Sequence, residues 1–103
     1  MNQAYVVGHI TVKDEGKWKQ YQARVPATLA PWGAELVFRG QREAVFAGPM
    51  PHTDIVVIRF ADLQAAGHWF RSDAYQALLP LRGEAADVVL VAYRSEAAFV
   101  SPG

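Results

Sequence analysis

Four β-rich runs and two helical stretches, in the order β-α-β-β-α-β, predict an α+β fold: an antiparallel sheet with helices on one face. Two observations carry this expectation. The runs Ala4–Val12, Asp54–Phe60 and Asp87–Tyr93 are short, β-branched and apolar, as strands are. Between them Trp18, Tyr21, Val25 and Leu29 recur three or four residues apart, the spacing of one helix face. The length of 103 residues with 51% hydrophobic content suits one core, so residues 1–103 are expected to form a single domain.

The first strand, Ala4–Val12, has Val6, Gly8, Ile10 and Val12 on one side and Tyr5, Val7, His9 and Thr11 on the other. Neither side is plainly polar, so both are expected to be covered. Asp14 suits an N-cap, followed by a helix from Lys17 to Ala30. Pro26 falls inside that span and predicts a kink or a second start, and Pro31-Trp32-Gly33 ends the element. Ala34–Arg39 and Arg42–Ala47 flank Gly40-Gln41. They form either a hairpin or one long strand bent by a bulge at Gly40. The bent strand is preferred, because a hairpin would reverse the next strand and spoil the split βαβ order. After the Gly48–His52 loop and the strand Asp54–Phe60, Asp62 caps a helix Leu63–Arg71 with Leu63, Ala66, Gly67 and Phe70 inward. Ser72 starts a short helix through Leu79, with Pro80 near its end. Residues 94–103 are read as a tail whose Phe99 and Val100 need a partner surface or stay mobile.

Helices on one side leave the other side of the sheet bare. That side would show Tyr5, Val7, Val37, Ile55, Val57 and either Val89 or Leu90. A patch of this size exceeds what lone chains usually expose, so a homodimer packed sheet to sheet is expected. The tail folding back over its own sheet is the competing solution.

Composition excludes several classes. Ten basic and ten acidic residues balance to zero, which argues against nucleic acid as a partner. No run approaches the roughly 20 apolar residues of a membrane span, and no signal peptide is read at the start, so a cytoplasmic location is expected. There is no cysteine, and the three histidines show no ligand spacing, so neither a metal site nor a cofactor is expected. No glycine-rich nucleotide motif or nucleophile elbow occurs.

The segments AYVVGHITVKD, VPATLAPWGAELVFRG and RSDAYQALLPLR resemble, in order, the DUF1330 family. These are small bacterial proteins of unknown function in the dimeric α+β barrel superfamily, with a ferredoxin-like fold. The resemblance runs from about Ala4 to Tyr93. It implies the ferredoxin-like dimeric barrel but no reaction. Members often carry Glu where this chain has Ala47, and Trp where it has Met50, so an acid or stacking role is not carried over there. Superfamily relatives include cofactor-free monooxygenases, lactone isomerases and YCII-like domains with a His-Asp pair. Such likeness concerns fold, and fold does not fix function.

His9 and Arg39 are the candidate catalytic residues. A mid-strand histidine can exchange a proton near neutral pH, or it can be a core histidine with both nitrogens satisfied. Arg39 and Arg59 stand on otherwise apolar strands, where a guanidinium holds an anionic ligand or a carboxylate such as Glu35 or Glu43. Arg42 reads as a strand-edge ion pair. Trp18, Tyr21, Trp32, Trp69 and Tyr75 either line an apolar pocket or pack as core. Trp32, beside Pro31 and Gly33, is read as the pocket or interface residue of the set. His52 and His68 are expected in solvent. Together these residues suit a small apolar or aromatic organic acid, either bound or transformed by isomerase-like or monooxygenase-like chemistry. A non-catalytic binding module and a purely structural dimerisation module are the alternatives.

Overall fold

The computed structural model describes residues 3–96. Strand β1 (Ala4–Val12) leads to helix α1 (Glu15–Leu29), a 3₁₀ turn (Ala30–Trp32) and strand β2 (Glu35–Gln41). Strand β3 (Asp54–Phe60), helices α2 (Leu63–Arg71), α3 (Asp73–Gln76) and α4 (Leu79–Ala85), and strand β4 (Ala86–Arg94) follow. The sheet order is β2-β3-β1-β4, with every neighbouring pair antiparallel. This is the expected ferredoxin-like α+β arrangement, with β1 and β3 in the centre.

Polar caps start the helices where the sequence places them. Asp14 accepts from Lys17 N–H at 3.0 Å and Asp62 from Ala65 N–H at 2.8 Å. Ser72 Oγ accepts from Tyr75 N–H at 3.3 Å and opens α3. Two boundaries differ from expectation. Helix α1 runs through Pro26 without a second start; Pro26 is exposed, where water can serve the carbonyl it leaves unbonded. Pro80 lies in the first turn of α4 instead of near the end of α3, a position where its missing N–H costs nothing.

Helix α2 has the expected span but a different inward face. Ala66 and Trp69 are buried, whereas Leu63 and Phe70 are exposed. The indole ring decides this rotation. Trp69 packs on Tyr75 and Phe60, with ring centroids at 4.2 and 5.5 Å. Its Nε1–H donates to Thr28 Oγ1 at 3.0 Å, so the ring is buried with its polar atom satisfied.

Strand β2 corrects the sequence expectation most. It ends at Gln41, and its bulge falls between Leu36 and Phe38, with Val37 as the extra residue, not at Gly40. Gly40 pairs in register with Ile55. Residues 42–53 form neither the continuation of β2 nor a tight hairpin, but an arm fastened at its foot. Arg42 N–H donates to Thr53 O at 2.6 Å, and Arg42 Nη1 donates to the carbonyls of Met50 and His52 at 2.8 and 3.3 Å.

The register assigns the two faces of the sheet. Tyr5, Val7 and His9 pair with Arg59, Val57 and Ile55 on one side and with Tyr93, Val91 and Val89 on the other. Cross-strand partners share a face, so this set forms the side away from the helices, and Val89 rather than Leu90 belongs to it. Phe38, Val89 and Tyr93 are 49%, 45% and 52% exposed there. In the single chain β1 is therefore covered on one side, with Tyr5, Val7, His9 and Thr11 half-buried. Strand β4 continues to Arg94, and Ser95 N–H donates to Gln3 O at 2.9 Å. Phe99 and Val100 lie outside the described residues.

Gly8 sits where β1 passes between Val56 and Leu90. A Cβ there would meet Val56 Cγ1 at 2.8 Å and Leu90 Cδ2 at 3.2 Å. Gly8→Ala is expected to lower stability by about 1–3 kcal/mol through overpacking. Urea denaturation of the two proteins checks this, and equal midpoints would refute it.

Candidate functional site

Helix α1 packs chiefly on α4 and stands off the sheet. Two adjoining hollows remain between α1 and the strands, of about 70 and 230 Å³, sharing Val25, Arg39, Val56 and Ile58. Together they approach the roughly 300 Å³ at which ligand pockets begin. The smaller is lined by Trp18, Tyr21 and Gln22 of α1, with Asp54 and Ile10 opposite. The larger opens toward Pro26, Ala30 and Leu36.

Three of the six expected site residues meet here: Trp18, Tyr21 and Arg39. Trp18 stacks on Tyr21 with centroids at 5.1 Å. Arg39 has no carboxylate within 4 Å among the described residues, which leaves its guanidinium free for a guest. The Val37 bulge brings it there. One extra residue reverses the facing of everything after it, so Arg39 lies on the helix side with Val56 while Phe38 and Gly40 take the open side.

The other three lie elsewhere. His9 is on the open side, in another hollow of about 170 Å³ with Arg42, Met50 and His52, which meets the cleft only at Asp54 and Ile55. The sheet itself separates His9 from Arg39, so one chain cannot bring both to one ligand. Arg59, also on the open side, donates to Glu35 Oε1 at 2.6 Å. Glu35 first, and Tyr5 after it, push the guanidinium pKa further up. Trp32 packs beside His68, with ring centroids at 5.6 Å, and does not line the cleft. His52 is half-buried, not exposed, and its Nδ1 lies 3.0 Å from Thr11 Oγ1. Arg42 bonds loop carbonyls where an ion pair was expected. Among the described residues no three His, Asp or Glu side chains gather as metal ligands, and no helix is long and apolar enough to cross a membrane.

A relay of hydrogen bonds lies behind the cleft, running from half-buried Arg82 to buried Tyr75 and Tyr21. Arg82 Nη1 donates to Tyr75 Oη at 2.9 Å, and Tyr75 Oη is 2.7 Å from Tyr21 Oη. Tyr75 is fully buried, so its own hydrogen has to be used. Either oxygen can donate in the bond it shares with Tyr21, and donation from Tyr75 would leave the Tyr21 hydrogen for the cleft. Burial, and then the Tyr75 phenol beside it, push the Tyr21 pKa far above the usual tyrosine range, with Arg82 opposing. Tyr21 is thus a neutral phenol at the wall of the cleft. Gln22, Asp54 and the Tyr75–Arg82 relay were missed by the sequence reading. Asp54 had a readable signal, since it shares strand parity with Val56 and Ile58; the relay had none, because Tyr21 and Tyr75 are far apart in sequence.

The sheet order, one-sided helices and cleft beneath α1 define an α+β protein of ferredoxin-like fold. The chain belongs to the DUF1330 family, a domain of unknown function, whose model matches residues 3–95. No curated protein matches the sequence. Among solved structures, a protein of unknown function from Rhodopseudomonas palustris is similar at 15% identity, covering 92% of this chain and 83% of its own, with a TM-score of 0.77. SnoaB from Streptomyces nogalater, a cofactor-independent oxygenase, is similar at 12% identity over 100% of both chains, with a TM-score of 0.69. A dabb family protein with a ferredoxin-like fold from Mesorhizobium loti is similar at 12% identity, covering 90% of this chain and 96% of its own, with a TM-score of 0.61.

The raised Tyr21 pKa has a signed consequence. Unfolded tyrosine releases its proton near pH 10, and the folded chain does not. This contribution to stability is full below about pH 10 and falls above it by up to roughly 1.4 kcal/mol per pH unit. Tyr21→Phe is expected to show a shallower loss between about pH 9 and about pH 11. Parallel urea midpoints for the two proteins across that range would contradict the assignment.

Proposed function

We propose that this protein binds a small aromatic or apolar organic acid in the cleft between α1 and the sheet. The observation that carries the reading is Arg39, unpaired by carboxylates among the described residues, at a cleft walled by Trp18 and Tyr21. A carboxylate on Arg39 gains a charge-assisted, two-pronged contact. The ring or chain lies against Trp18, and Tyr21 donates to an oxygen at the inner end. No nucleotide, metal or nucleic acid has a part in this reading.

Transformation of the guest is the second reading. Asp54 favours it, as a carboxylate at the same cleft able to accept a proton. The fold likeness to a cofactor-independent oxygenase is consistent with it and adds nothing about residues. His9 takes no part at this cleft.

The protein works as a homodimer in this proposal. The open face presents Val7, Phe38, Val57, Val89, Val91 and Tyr93 together. A second copy laid sheet to sheet covers them and closes a barrel.

Titration with phenylacetate and benzoate, followed by tryptophan fluorescence, is expected to saturate. Arg39→Gln should weaken binding roughly tenfold or more, while His9→Ala leaves it unchanged. Absence of saturable binding by any aromatic carboxylate removes the ligand reading. Light scattering should give a particle of two chains, and a monomer at high concentration removes the dimer.

A further inference from the structure

The cleft holds two charges of opposite sign that do not meet. Of the residues lining its two adjoining hollows, Arg39 and Asp54 are the charged ones. The register sets them on a diagonal of the sheet. Arg39 pairs with Val56, and Asp54 lies two residues before Val56 on the same side of β3. Such diagonal neighbours stand about 7–8 Å apart along the backbone. Among the described residues no ion pair joins them, or joins either to another side chain. Asp54 Oδ1 accepts from Thr53 Oγ1 at 2.8 Å, and its other carboxylate oxygen has no partner among the described residues.

A plain carboxylic acid satisfies half of this arrangement. Its carboxylate meets Arg39. The hollow that Arg39 and Asp54 share is only about 70 Å³, so a guest filling it also covers Asp54, which is half-buried already. Covering a carboxylate without pairing it takes away its water and returns nothing. The rest of that lining has no second cation to offer: Tyr21 and Gln22 are neutral, and Trp18, Val25 and Val56 are apolar. A guest that carries its own cation removes the penalty. Its two charges then pair with the two of the cleft, and no charge is left over.

We propose that the guest is an aromatic α-amino acid in its zwitterionic form. Its carboxylate meets Arg39, its ammonium group donates to Asp54, and its ring lies against Trp18. This rests on the ligand reading above and adds the class of ligand. Asp54 is then the residue that sorts amino acids from simple acids.

Phenylalanine and hydrocinnamate share a skeleton and differ by the ammonium group, so the ratio of their affinities reads that group alone. Followed by tryptophan fluorescence, phenylalanine is expected to bind about tenfold more tightly or better. Asp54→Ala should bring the two affinities together, with hydrocinnamate bound as well as before or more tightly. A merely structural defect would weaken both ligands and leave their ratio intact. Asp54→Asn, which keeps the shape and loses the charge, should also lower the ratio, and it serves if the alanine variant does not fold. Equal affinities in the unaltered protein, or a ratio that survives both substitutions, overturn the proposal, while saturable binding of hydrocinnamate leaves the ligand reading standing. If phenylalanine, hydrocinnamate, phenylacetate and benzoate all fail to bind, the ligand reading falls and this proposal with it.

Discussion

The burial of Trp69 governs how the helices lie over the sheet. Its ring reaches Phe60 on β3 and Tyr75 on α3, and its N–H reaches Thr28 on α1. Thr28 in turn donates to Val25 O at 2.7 Å. One indole therefore joins three helices to the central strand and sets the height of that layer. A ring of this bulk keeps α1 from settling onto β3, and the space left beside it is the cleft. The hollow here is a by-product of core packing, because dense interiors leave room only where a large group props neighbours apart.

The parts of the fold that local chemistry dictates were legible in the sequence. Asp14, Asp62 and Ser72 mark helix starts because a side-chain oxygen is needed there. Ala4–Val12 and Asp54–Phe60 read as strands because their branched residues fit a pleated surface. The facing of α2 was not legible. Leu63 and Phe70 score as inward by hydrophobicity, but Trp69 wins through contacts with residues distant in sequence. Tertiary packing overrides periodicity at that helix.

The site was half legible, and Val37 explains which half. Trp18 and Tyr21 follow from helical spacing. Arg39 was paired with His9 as a candidate, and simple alternation, which groups it with Val37, would put the two on one face. A bulge of a single residue undoes that alternation, and nothing in the local residue types marks where it falls. The glycine at position 40 looked like the break and is an ordinary paired residue. His9 thus belongs to the face read as the meeting surface of two copies, apart from the guanidinium it had been grouped with.

The tyrosine relay ties the inner wall of the cleft to a charge outside it. Arg82 donates to Tyr75, and Tyr75 shares a hydrogen with Tyr21 in a bond that either oxygen can donate. Asp54 lines the same hollow as an acceptor and Arg39 as a donor. The lining is therefore polarised from one wall to another, and the polarity of that small space is anchored in α4, an element that never touches it.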